Sequence, residues 1–359
     1  MPNIENFCLA SVKKKDVSLA FNLKNMATEI SSIGKEALLS QLFEGCGRAN
    51  ERGSAFSGDG DFSTVHKVFM EKVDFDLTYN PLRHLGHKLA LNVIGELYAR
   101  FSSPMGLDVT VALSNRFSVE DVQDLWEGIT AAAKEHGAEH LALDLIPSAA
   151  GMVVSIAAWG SAAKEVTEKR KKAQSKDLLV LSGDLGAAYM GLHVLEREKA
   201  AFEGTPAGAQ PKQPDLTQYK YIVGEYLSPY LKPGIPGRFT EAGIIPCGGY
   251  FISRGLGDTA KRIAADTGLG VKIYVGKIPI ASKTFEMAQE LNLDPITAAV
   301  NGGDDYRLLY IVPLEFHETL RHDFQDWDII GHLARPDVGE VLVTPEGAEI
   351  GIHAQGYEQ

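Results

Sequence analysis

The sequence is short of cysteine: Cys8, Cys46 and Cys247 are all it has, far apart and without a CxxC pair. That spacing excludes a secreted disulfide framework and leaves reduced thiols in a cytoplasm as the expectation. Long apolar runs are missing too. The longest, Met152 to Trp159, has strand length, whereas a membrane helix needs roughly 18–20 residues. Surplus positive charge is absent: the formal net charge is −12, which argues against a nucleic-acid or anionic-membrane surface. One basic run, Lys169-Arg170-Lys171-Lys172, lies in a polar connector and reads as a solvated loop rather than a phosphate patch. No GxSxG, GxxxxGK[ST] or Rossmann fingerprint occurs. His84 and His87 lack a third ligand at metal spacing, so a zinc site is not expected. Low-complexity tracts and short repeats are also absent.

What is present fits a folded protein of two domains. The chain has 359 residues, 45% of them hydrophobic and 23% charged. Residues 1–27 carry Lys13-Lys14-Lys15 but no signal segment, and read as a flexible extension, with the better-patterned sequence opening at Met26. A helix is expected over Ile33 to Phe43 and a Gly/Ser-rich loop over Glu44 to Ser63. Then come a strand from Val65 and a long helix with Asn80 as cap and Pro81 in its first turn. A strand ends at Leu113, a helix is capped by Ser118 with Asp121 three residues on, and strands follow at Leu141 to Ile146 and Met152 to Trp159. This order suggests a mixed or antiparallel sheet with helices on one face, not a doubly wound parallel sheet. A boundary falls near Ser161 to Gln174, which gives domains over 28–165 and 166–359. The second half reads as strand Leu178 to Leu181, helix Ala187 to Arg197, a Pro/Gly loop and a helix near Tyr219 to Tyr230. Helices at Asp258, Lys283 and Leu314 then alternate with strands at Val271 and Arg307, and strands near Ile329 and Val341 close it.

Two Gly-rich turns stand out as places for chemistry. Gly183-Asp184-Leu185-Gly186 lies between a strand and a helix, where backbone N–H groups can meet an anion or simply make a tight connection. Asn301-Gly302-Gly303-Asp304-Asp305-Tyr306 precedes a strand; its adjacent acids suit Mg²⁺ or a substrate, or equally a solvated turn.

These turns carry a family resemblance. The segment from Ser182 to Leu192 resembles the Thr-Gly-x-Leu-Gly segment of thiamine-monophosphate kinases, and Asn301 to Leu308 resembles that family's Asn-Gly-Gly-Glu-Asp-Tyr-Glu-Leu. Phe75-Asp76-Leu77 and the closing Ala354-Gln355-Gly356-Tyr357 fit as well, in order, from about Thr28 onward. The resemblance implies an α/β fold of the aminoimidazole ribonucleotide synthase type. It would have an N-terminal mixed or antiparallel sheet domain that pairs across a homodimer, and a C-terminal α/β domain. It implies transfer of the γ-phosphoryl group of ATP to thiamine monophosphate, assisted by Mg²⁺ held on carboxylates. Gly183, Gly186, Gly302, Gly303, Asp304, Asp305 and Tyr357 become candidates for contacts to a phosphate-bearing small molecule.

Departures from the family pattern cluster at its metal and phosphate positions. Asn50-Glu51-Arg52-Gly53-Ser54 stands where the family has Gly-Asp-Asp-Ala-Ala, and Val65-His66-Lys67 replaces Thr-Thr-Asp. Lys72-Val73-Asp74-Phe75 replaces Gly-x-His-Phe, and Val93-Ile94-Gly95-Glu96 replaces Asn-x-Ser-Asp. Ala142-Leu143-Asp144-Leu145-Ile146 replaces Gly-Gly-Asp-Thr-Thr, and Ser253-Arg254-Gly255-Leu256 replaces Ser-Asp-Gly-Leu. A fixed cation cannot ligate Mg²⁺, and two unit charges at 4 Å repel by about 4 kcal/mol at an effective dielectric near 20. Phosphoryl transfer depends on cations clamped around the phosphates. Three readings follow. Arg52, Lys67 and Arg254 neutralise Glu51, Glu96 and Asp144 internally; or the same cations meet a phosphate without metal; or altered Mg²⁺-dependent catalysis on ATP persists through Glu51, Glu96, Asp144, Asp304 and Asp305. The first two describe a non-catalytic dimeric binding or regulatory protein, the third a working phosphotransferase. Relatives of the hydrogenase-maturation type, with a C-terminal cysteine, are disfavoured by the ending Gly356-Tyr357-Glu358-Gln359. Selenophosphate synthetases are disfavoured because Cys8 lacks their Gly-rich strip.

Overall fold

The computed structural model describes residues 62–204 and 215–354. Strand β1 (Phe62–Met70) leads through a turn into helix α1 (Leu82–Ala99), then β2 (Ser103–Leu113), α2 (Val119–Glu135), β3 (His140–Pro147) and β4 (Met152–Ser161). A short helix α3 (Lys164–Lys169) connects to β5 (Leu178–Ser182), α4 (Ala187–Glu203), α5 (Lys220–Leu227), α6 (Ile235–Glu241) and β6 (Gly248–Ile252). The remainder is α7 (Leu256–Thr267), β7 (Gly270–Tyr274), α8 (Ser282–Leu291), α9 (Pro295–Asn301), β8 (Arg307–Val312), α10 (His317–Asp323), β9 (Trp327–Ala334), β10 (Glu340–Val343) and β11 (Glu349–Gly351). The expected helix at Ile33–Phe43 and the loop before Phe62 lie outside the described residues.

The strands form two sheets. The first has the order β1-β4-β2-β3, with β2 and β3 parallel and the other pairs antiparallel, so it is mixed, as the element order suggests. The second has the order β11-β10-β7-β9-β5-β8-β6 and is antiparallel except for the β10–β7 pair. Helix α1 is buried almost all round from Leu85 to Ala99, the pattern of a helix enclosed on every side rather than lying on a surface. It packs on the first sheet and on β6 and β8 of the second. One apolar cluster therefore runs from Val65 and Leu107 through Ile94 and Leu97 to Phe251, Tyr310 and Trp327. Residue 165 lies in α3, which connects the last strand of the first sheet to the first strand of the second.

Local chemistry explains the ends of the elements. Ser118 and Asp121 form the expected capping box at the start of α2. Asn80 does not cap α1: its amide donates to the Asp76 carbonyl oxygen at 2.8 Å, and Pro81 takes the N-cap place with extended backbone. Sequence reading passed over α6, β6 and α9, which are only five to seven residues long. Asp294 caps α9, and Pro295 occupies its first turn, a legible start signal. The helix expected from Leu314 begins as a 3₁₀ turn and becomes α-helical only at His317. Among the described residues no helix is long and apolar enough to cross a membrane.

Candidate functional site

Helix α1 organises the candidate residues because Lys88, Asn92 and Glu96 recur every four positions and so share one face. At one end of this stripe, Lys67 on β1 donates to Asn92 Oδ1 at 2.6 Å and to Glu96 Oε1 at 3.0 Å. The Arg262 guanidinium of α7 stands 4.0 Å from the other Glu96 oxygen. Burial by itself would push the Glu96 carboxyl up, but Lys67 and Arg262 outweigh it and hold the group down to about 2. Glu96 is thus an anion locked between two cations.

The middle of the stripe reaches the second half of the chain. Asn92 uses its amide to donate to Tyr306 Oη at 2.9 Å. Lys88, almost wholly buried, donates to Asp304 Oδ2 at 2.9 Å and sits 3.6 Å from the centre of the Tyr226 ring. Neither Lys88 nor Asn92 was picked out by the sequence reading. Their four-residue spacing from Glu96, on a helix that starts at Pro81, was the available signal.

The retained turn between α9 and β8 packs against the start of α4. Asp305 Oδ1 accepts from Gly186 N at 2.8 Å, while its Oδ2 is buried without a hydrogen-bond partner. Burial dominates, and despite Gly186 and the nearby Arg307 it pushes the Asp305 carboxyl up to about 8. Gly186 takes φ 83° as the N-cap of α4, a conformation that costs a residue with a Cβ but not glycine. The anion-binding geometry expected at this helix start is therefore met from within, by the protein's own carboxyl group. Arg307 secures the preceding turn by donating to the Asp184 carbonyl at 3.1 Å and to Glu225 at 2.6 Å. Gly302 is helical, with φ −70°; it is small because a Cβ would fall 2.3 Å from the Ala298 carbonyl oxygen.

The other expected residues are dispersed. Arg254 pairs with Asp258 at 3.0 Å, one turn along the same segment, an acid outside the set of Glu51, Glu96 and Asp144 expected to be neutralised by Arg52, Lys67 and Arg254. Asp144 lies on the exposed edge strand β3 opposite Thr110 of β2. No ion pair joins it to Lys67 or Arg254 among the described residues. Glu51, Arg52 and Tyr357 lie outside the described residues. Among those described, no group of three or more His, Cys, Asp or Glu is placed to hold a metal. The surroundings of Glu96 do not fit Mg²⁺, since an ion there would abut the Lys67 ammonium and the Arg262 guanidinium.

No family model matches the sequence. Among curated proteins, it is 27% identical over 235 residues to the thiamine-monophosphate kinase of Methanopyrus kandleri, covering 64% of this chain and 67% of that one. It is 22% identical over 299 residues to the thiamine-monophosphate kinase of Bacillus subtilis, covering 81% and 85%. The fold matches a crystal structure of thiamine monophosphate kinase from Aquifex aeolicus with a TM-score of 0.73 at 19% identity, over 90% of this chain and 100% of that one. The chain is a divergent relative of the thiamine-monophosphate kinases. A second neighbour is the hydrogenase maturation protein HypE in its complex with HypF, with a TM-score of 0.63 at 17% identity over 88% and 99% of the two chains. The architecture is accordingly that of thiamine-monophosphate kinase and HypE, the aminoimidazole ribonucleotide synthase type. Lys67 and Glu96, two positions read from the sequence as departures from the thiamine-monophosphate kinase pattern, are brought into direct contact by the fold.

Proposed function

We propose that this thiamine-monophosphate kinase relative is a non-catalytic, dimeric binding or regulatory protein that takes a phosphate-bearing small molecule. The observation that carries the reading is Lys67 seated between Asn92 and Glu96. A lysine at a position where the resemblance implies a metal-binding acid fills the space and supplies the charge that an ion would bring. Helix α7 adds Arg262 on the far side of Glu96. Pairing across a homodimer is supported by the first sheet. Its edge strand β3 is exposed along its whole length, and Leu141, Leu143, Leu145 and Ile146 present apolar surface there. Cytoplasmic residence accords with the scarcity of cysteine.

A second reading, a Mg²⁺- and ATP-dependent phosphotransferase acting on thiamine phosphate or a related small molecule, is favoured by the retained turns at Gly183–Gly186 and Asn301–Tyr306. One structural neighbour was solved with AMPPCP and TMP, and HypE with ATP. A coupled assay for ADP release and thiamine diphosphate formation, with and without Mg²⁺, separates the two. The first reading expects no Mg²⁺-dependent turnover, together with saturable binding of ADP, phosphate or thiamine monophosphate in EDTA. Turnover that requires Mg²⁺ would establish the second.

A further inference from the structure

A cavity of about 550 Å³ opens away from the Lys67–Glu96 contact, between the Glu71–Pro81 turn, the start of α1 and the first turn of α2. Its size lies in the range of small-molecule pockets. Two cations line it, and each is aimed by a buried acid. Arg116, half exposed, is anchored on Glu71, whose side chain is only 5% exposed. Lys72, with 60% of its side chain exposed, bonds both oxygens of Asp76 at 2.9 and 2.8 Å. Asp76 is shared with Lys199 at 2.8 Å, and Lys199 also pairs with Glu196 at 3.5 Å, so the charges of this network balance. Both acids are spent on orientation, and the outer faces of both cations stay open.

The rest of the lining agrees with a ligand that is anionic at one end and apolar at the other. Pro81 and Leu82 bring the N-terminus of α1, an 18-residue helix with no side-chain cap and no acid in its first turn. Asp121, the remaining acid of the lining, is tied into the capping box of α2 through Ser118 N. Leu82 and Phe117 supply apolar wall, and the Arg116 guanidinium lies 4.7 Å from the Phe117 ring centre.

We propose that this cavity binds a small organic phosphate, its phosphoryl group held by Arg116 and Lys72 and its apolar body lying against Leu82 and Phe117. An arginine fork and a lysine point charge are the usual pair for a dianionic phosphoryl group. The inference goes further than the phosphate-bearing ligand proposed above by placing it in this cavity, and it uses none of the residues around Glu96.

The test is calorimetric titration of the full chain with phenyl phosphate at low salt. Lys72→Gln leaves Asp76 its bonds to Lys199 and Thr78 N, so the fold stands. Arg116→Gln is made together with Glu71→Gln, so that no buried charge is stranded. Each variant is expected to weaken phenyl phosphate by about tenfold or more, while Lys283→Gln, at an exposed ion pair on α8, leaves it unchanged. Inorganic phosphate is expected to bind more weakly than phenyl phosphate, because it lacks the apolar body. Absence of saturable binding to the native chain, or binding that survives both cavity variants, would overturn the proposal. So would equal weakening by Lys283→Gln, which would make the binding a matter of general surface charge.

Discussion

Glu96 and Asp305 are both buried carboxyl groups, yet they end in opposite charge states. Glu96 faces a lysine 3.0 Å away and an arginine 4.0 Å away, and stays ionised. Asp305 receives one backbone N–H and the more distant field of Arg307, and holds its proton near neutrality. The substituted region keeps its charges and pairs them; the retained region buries an acid and neutralises it. An acid left in a motif is therefore no guide to metal binding until its nearest cation is known. Desolvation raises a carboxyl pKa wherever charge is not directly compensated, and direct compensation comes from neighbours distant in sequence.

The comparison breaks most readily at Glu96. Glu96→Gln keeps the shape but leaves Lys67 and Arg262 facing no anion, and should cost about 3 kcal/mol of stability, the scale for breaking a buried pair. Urea unfolding of variant and native chain measures it. Lys88→Met, at the other end of the stripe, should cost less, about 2 kcal/mol, because Asp304 is about one-third exposed and can take up water. If the order of these two losses is reversed, the stripe is held together from the turn and not from the Lys67 end.

Asp305 gives a test by pH. In the unfolded chain its carboxyl releases its proton near pH 4, whereas in the fold it does so at about 8. Between those values the folded state binds the extra proton, so stability falls as pH rises. The slope is at most about 1.4 kcal/mol per unit and is largely spent above pH 8. Asp305→Asn retains the acceptor for Gly186 N and has no proton to lose. The native chain should thus lose about 1 kcal/mol relative to the variant between pH 6 and 7. Parallel stability curves for the two proteins would show that Asp305 is ionised in the fold.

Sequence alone made the mixed first sheet readable, because strand-length apolar runs and a clear Ser118–Asp121 box leave little freedom. The family resemblance rested on turn motifs that the fold does place together, Gly186 against Asp305. Pairing was legible only in part. Lys67 and Glu96 meet because β1 lies along α1, and nothing local to either residue announces it. Arg254 pairs with Asp258, four residues away, while Asp144 lies on the edge strand β3 of the first sheet. Short elements such as β6, with its Gly248-Gly249 start, carry too little pattern to be read; their strand state comes from pairing with β8. The cavity beside Arg116 was invisible for the same reason, since its walls come from three separate segments.

Arg254 sharpens the comparison with the smallest effect. Its side chain is half exposed, so its pair with Asp258 is screened by solvent, although the acid itself is buried. Arg262 acts on Asp258 as well, so the acid keeps a cation when Arg254 is changed. Arg254→Gln should therefore cost no more than about 1 kcal/mol at low salt, and the loss should shrink further as salt is raised. The same salt series on Glu96→Gln should show a nearly constant loss, because its partners are largely withdrawn from solvent. A salt-independent loss for Arg254→Gln of the size seen at Glu96 would mean that Arg254 belongs to the buried charge network. The division between a locked interior pair and a solvent-facing rim would then fail at the residue that defines its outer limit.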